Sequence, residues 1–242
     1  MTRKYFLTGE MMKLGWRTLY RIQATRSFGT VSKDQKGGWV EKESNLSHDG
    51  NCWVFDDAMV LGDAVVKDNA LVYDNSSIAG FAEISGYSQV MGRSTIDGDV
   101  CIGGQAYVKD SEICKDAIIA GYANVLHSYV TGHGRVYGSA IIRCASIRGN
   151  STVGGDAKIV GPVSVIDAQI SKNTDFIIFK NWWSSGRYFV WTRSNDMWSV
   201  GCFHGTGEKL IEKAYQDSQL SGDEYKRIVE YVESIKPIMN KL

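Results

Sequence analysis

An aliphatic residue returns every six positions from Val54 through Val60, Val66, Val72, Ile78, Ile84, Val90, Ile96 and Ile102 to Val108, then at steps of five or six from Ile113 to Ile170. An α-helix repeats every 3.6 residues and a strand every two, so neither element alone writes this period. Four residues after most of these positions stands a small side chain, as in Ala58, Ala64, Ala70, Ser76 and Ala82. Two residues after stands Gly or Asp, as in Asp56, Gly62, Asp68, Asp74 and Gly80. β-Branched residues suit short inward-facing strands. Small residues let neighbouring coils approach, and Gly or Asp tolerates the left-handed backbone of a sharp corner. A repeat sustained from Val54 to Ile170 predicts a solenoid.

The spacing resembles the hexapeptide repeat of left-handed parallel β-helices, which implies that three such units close one triangular coil. Five-residue steps replace six at Val108 to Ile113, Val125 to Val130 and Ile142 to Ile147, so the shortening recurs every 17 residues at one corner. The three faces are therefore distinguishable. Face one carries Val54, Val72, Val90, Val108, Val125, Ile142 and Ile159, face two begins at Val60, and face three at Val66. About seven coils at about 4.8 Å per strand predict a prism roughly 33 Å tall.

The flanks lack the period. Residues 1–50 contain Tyr5-Phe6-Leu7 and Leu19–Ala24, which read as strands, and Gly37-Gly38, which reads as a turn before Trp39-Val40. They predict an N-terminal β cap on the open end of a prism spanning 51–172, since a terminal coil exposes apolar side chains and unpaired backbone. Residues 173–242 predict an α+β unit of three strands (Phe176–Phe179, Tyr188–Thr192, Met197–Phe203) and two helices. The first helix starts near Thr206 and buries Leu210, Ile211 and Ala214. The second has Ser221 as N-cap, Glu224 closing a capping box, Leu220 and Tyr225 as a hydrophobic staple, and ends before Pro237. The fold class is mainly β, with a small α+β tail.

Lys plus Arg equals Asp plus Glu at 27 each, so no overall positive field recruits nucleic acid or anionic membrane. Five cysteines without Cys-x-x-Cys spacing argue against a disulfide framework or a zinc site, and nothing approaches a signal peptide or membrane span. A cytoplasmic protein with no cofactor and no metal is expected.

The repeats resemble the hexapeptide repeat of left-handed parallel β-helices. The run Gly37-Gly38-Trp39-Val40-Glu41 through Gly50-Asn51-Cys52-Trp53-Val54, and the tail stretch from Thr192 to Thr206, resemble bacterial and prophage hexapeptide-repeat proteins of the acetyltransferase or polymer-forming type. The resemblance implies the fold and a phage or prophage setting, in the cytoplasm of a bacterial host.

Hexapeptide acyltransferases, which the repeat resembles, typically use a histidine as general base. Of His48, His127, His133 and His204, His127 falls at the shortened corner, one coil after Asp110 and one before Cys144. Asp110 could orient the imidazole for proton abstraction from an acceptor hydroxyl or amine. Asp116, His133 and Asn150 form a similar column at the next corner, so stacking alone generates such sets. No phosphate-binding Gly loop and no convergent set of three histidines is present.

Residues flanking each rung point outward. Face one then presents Trp53, Phe55, Leu71, Tyr73, Met91, Tyr107, Leu126 and Ile141, an apolar strip that something should cover. The tail, a second copy in a dimer or trimer, or a foreign partner would serve. Trp182, Trp183, Trp191 and Trp198 read as tail core or a recognition surface. The function expected is therefore a non-enzymatic, phage-type binding protein whose rigid surface engages a host partner, an antiviral defence component by analogy. The alternatives are an acyl-CoA-dependent acyltransferase using His127 and a sponge for a small signalling molecule between subunits.

Overall fold

The computed structural model describes residues 3–239. From Trp53 to Ile170 the chain winds as a parallel β-helix whose faces are stacks of two- to four-residue strands. The ladders run as the spacing predicts: Val54 beside Val72, Val90 beside Val108, Val108 beside Val125, with every rung buried. Gly or Asp at the corner adopts positive φ, as at Asp56, Asp68, Asp74 and Gly62.

The stack is longer than seven coils. Lys36–Val40 is a strand parallel to Met59–Val60, and Leu46 bridges Val66, so residues of the expected cap add a coil and make about eight. Gly37-Gly38 is not a turn. It is strand packed so tightly on the next coil that a Cβ on Gly38 would lie 2.4 Å from the Ala58 carbonyl oxygen. The period was hidden because Leu46 to Val54 takes eight residues, through a loop that buried Lys4 ties down by donating to the carbonyl of Cys52 (2.9 Å). An antiparallel hairpin, Tyr5–Leu14 with Arg17–Ala24, covers this end. A fourth five-residue step, Val165 to Ile170, falls at a different corner from the other three.

The tail is a four-stranded antiparallel sheet, one strand more than expected, because Gly201-Cys202 turns the last stretch into the hairpin Met197–Val200 and Phe203–Gly205. Helix α1 (Gly207–Asp217) has Thr206 as its N-cap and buries Leu210 and Ala214. Helix α2 (Gln219–Met239) begins before Ser221, which lies inside it, and runs past Pro237. Leu220 is exposed, so no staple with Tyr225 forms. Trp191, Trp198 and partly buried Trp183 belong to the tail core, while Trp182 is exposed. Phe176 and Val190 join the prism core, and Asn195 Nδ2 donates to the carbonyls of Ile166 (3.0 Å) and Asp167 (3.1 Å), so the tail plugs the far end.

Candidate functional site

A six-residue corner closes a turn on itself: the Ala58 N–H donates to Phe55 O, and Ser76 N–H to Tyr73 O. Deleting one residue removes that bond. At the three shortened corners between faces one and two, a serine of the preceding coil replaces it. The hydroxyl oxygens of Ser94, Ser111 and Ser128 accept from the backbone N–H of Ser111 (3.3 Å), Ser128 (3.1 Å) and Ala145 (3.3 Å). Each hydroxyl also donates to a carbonyl of its own coil. Ala145 needs no hydroxyl, because the next corner is full length and Val163 N–H bonds to Gly161 O (2.8 Å). The short corner after Val165 follows the same rule, with Ser151 Oγ accepting from Ala168 N–H.

The missing residues leave a hollow. Where other coils carry Asn75, Arg93 or Pro162, three successive coils carry nothing, and a cavity of about 510 Å³ opens, lined by Asp110, Glu112, His127, Tyr129, Cys144, Ser146 and Pro162. Asp110, His127 and Cys144 are the corner residues of those coils, with φ of 48°, 49° and 56°. Their side chains therefore leave the backbone alike. His127 N–H bonds to Lys109 O (3.0 Å) and Cys144 N–H to Leu126 O (3.1 Å), which sets the three in one column. Gly, Asp and His are among the residues that most readily take this conformation, so Cys144 is the unusual one of the three.

His127 Nδ1 lies 3.9 Å from Asp110 Oδ2, an electrostatic pair longer than a hydrogen bond. Catalytic contacts often tighten only when substrate arrives. The carboxylate itself is held, since Asp110 Oδ1 accepts from Arg93 N–H at 3.0 Å. Gly92 makes room for it: a Cβ there would sit 2.2 Å from Oδ1. His133 Nδ1 is closer to its carboxylate, 3.2 Å from Asp116 Oδ2, but these two stand on a full-length, exposed corner and line no part of the hollow. His48 pairs with Glu43 and stacks on Tyr5 in the cap, and His204 bonds to Ser199 in the tail. Distance alone would choose His133, and the cavity chooses His127.

No family model matches the chain. Among curated proteins, the uncharacterized acetyltransferase YdcK of Escherichia coli (strain K12) is 30% identical over 66 residues, 24% of this chain and 20% of that protein. The similarity thus spans about a fifth of that relative's length and accords with the stacked six-residue ladders. The chain is a hexapeptide-repeat β-helix protein.

In this β-helix protein the hollow continues across face two, where Glu112, Tyr129 and Ser146 also border a groove with Thr131 and Arg148. The Arg148 guanidinium lies 5.7 Å from the Tyr129 ring centre. Tyr129 OH lies 3.5 Å from Cys114 Sγ, and this hydrogen bond holds the phenol's pKa above the usual tyrosine value. Neither Glu112 nor Tyr129 was singled out from the sequence. The signal was present as three consecutive short steps.

The face-one strip needs one correction. Trp53 is fully buried, with the rings of Tyr5 and Phe28 packed edge-on against it, because the cap extends over the first coil. Phe55 and Tyr73 stack at 4.6 Å, Tyr107 OH contacts Met91 Sδ at 2.9 Å, and Leu71, Leu126 and Ile141 are half-buried. The tail does not cover this strip: it sits on the prism end, and Val160 beside that end is 52% exposed. Tyr87 and Tyr122, three residues after their rungs on the neighbouring corner, extend the apolar surface and were missed because only rung neighbours were counted. Among the described residues no group of three or more His, Cys, Asp or Glu could hold a metal ion, and no helix is long and apolar enough to cross a membrane.

Proposed function

We propose that the hollow at the shortened corner is an acyl-transfer site with His127 as general base. One observation carries this reading: an imidazole backed by an oriented carboxylate, Asp110, stands on the wall of a cavity large enough for part of a thioester donor. The imidazole takes the proton of an acceptor amine or hydroxyl as it attacks the thioester carbonyl, and Asp110 favours the imidazolium that forms. Tyr129 OH and Ser146 OH are donors on the same wall. Lys109 and Arg143, which flank Leu126 on adjacent coils, supply positive charge beside the hollow for the phosphates of a coenzyme A thioester. The partial similarity to YdcK, named as an uncharacterized acetyltransferase, supports the same reading.

The test is release of coenzyme A from acetyl-CoA, read by mass spectrometry, against a panel of primary amines and alcohols. His127→Ala should lower the rate by roughly a hundredfold or more, and His133→Ala should leave it unchanged. No release above buffer, or equal loss in both variants, overturns the reading. Saturable binding without release would instead favour a sponge.

A second reading is favoured by the half-buried strip from Phe55 to Ile141, namely presentation of a rigid surface to a second copy or to a foreign macromolecule such as a host component. It is compatible with the first, since the strip adjoins the corner that carries His127.

A further inference from the structure

We propose that Cys144 is the first acyl acceptor, so that transfer proceeds through a thioester on this chain. This rests on the acyl-transfer reading of the hollow and adds a covalent step. Three observations carry it. Cys144 is exposed and lines the same cavity as His127 and Asp110. It stands one coil after His127 in the same backbone conformation, φ 56° against 49°, completing the order carboxylate, imidazole, thiol along the stack. In that column Asp56, Asp74, Gly92, Asp110 and Gly161 are Asp or Gly, and His127 and Cys144 are the two residues that depart from this pattern.

The step balances without a redox partner. The Cys144 Sγ–H proton passes to His127 Nε2 as sulfur attacks the thioester carbonyl carbon of acetyl-CoA. The bond from that carbon to the coenzyme sulfur breaks, and the leaving thiolate takes the proton from His127. Acetyl-CoA plus the Cys144 thiol thus gives acetyl-Cys144 plus coenzyme A. An amine or alcohol then attacks acetyl-Cys144, His127 accepting its proton and returning it to the departing sulfur.

The experiment incubates the full chain with acetyl-CoA and maps adducts by peptide mass spectrometry. Cys101 is the internal control, an exposed cysteine on the same prism with Glu83, Asp99 and Lys67 as its nearby charges and burial and the two carboxylates holding its thiol pKa up. The expected result is one acetyl group on Cys144, absent from Cys101, removed by neutral hydroxylamine, and formed roughly a hundredfold more slowly in His127→Gln. Cys144→Gly, the residue the corner favours, should fold normally and lose both adduct and turnover. Equal labelling of Cys144 and Cys101 overturns the proposal. Turnover retained in Cys144→Gly, with no adduct in the wild type, overturns it while leaving His127 as a base for direct transfer. Neither adduct nor turnover in the wild type overturns both.

Discussion

Ser111 accepts a backbone N–H from Ser128 in the next coil and donates to Lys109 in its own, replacing the turn bond that a full corner would make internally. Replacing it with Ala leaves the buried Ser128 N–H unpaired and should cost about 1–3 kcal/mol, read from the denaturant midpoint at unchanged slope. Ala145→Ser should bring no gain, because Val163 N–H already has its carbonyl. A Ser111→Ala protein as stable as wild type would show that water or backbone adjustment satisfies the corner. The inward rungs were legible in the sequence because a dry stack admits only aliphatic side chains. The serine column was not, since Ser and Ala are interchangeable as small residues until the corner length decides which is needed. His127, Asp110 and Cys144 were legible as a column, but not as the wall of a cavity.

At the scale of elements, the period predicted the prism strands, and single-position signals misled at the ends. Ser218, not Ser221, joins the tail helices: its N–H bonds to Ala214 O to close α1, and its hydroxyl accepts from Ser221 N–H to open α2. The two serines lie three residues apart, so the capping pattern was in place but read one turn late. Pro237 lies in the last turn of α2, so the i→i−4 bond that its missing N–H forfeits is lost only near the end of the helix. The junction of prism and tail rests on Asp175, whose Oδ2 accepts from Ser171 N–H (2.7 Å), Lys172 N–H (2.9 Å) and Ser171 OH (3.1 Å). Burial alone would raise its pKa, but these donors and the Arg193 guanidinium outweigh it and hold the carboxyl below its usual range. A depressed folded pKa contributes stability that is full above the unfolded carboxylate value and is lost as pH falls through the folded one. Acidification from neutral to below the usual carboxylate range should therefore lower the wild-type melting temperature more steeply than that of Asp175→Asn. Parallel curves would remove Asp175 from the junction's energetics.

For the whole molecule, the cap and tail occupy the two ends of the prism and leave the face-one strip uncovered within one chain. Leu71→Arg combined with Met91→Glu should lower the mass in light scattering if a second copy covers the strip, since unpaired charges are costly in a packed contact. Unchanged mass with loss of a macromolecular partner would assign the strip to recognition, and wild-type behaviour in both assays would leave it as plain surface. The shortened corners carry a different kind of information. Their hollow is specified by how many residues each coil contains, a count that substitution scanning never alters. Inserting one Asn between His127 and Ser128 would keep Val125 and Val130 on their rungs while filling the middle of the hollow, so the chain should stay folded and stop responding to acetyl-CoA. By the same arithmetic, moving the three deletions along the chain would slide the hollow by 17 or 18 residues per coil and bring a different trio of corner side chains to its wall, making coil length a coordinate along which such a site can be relocated.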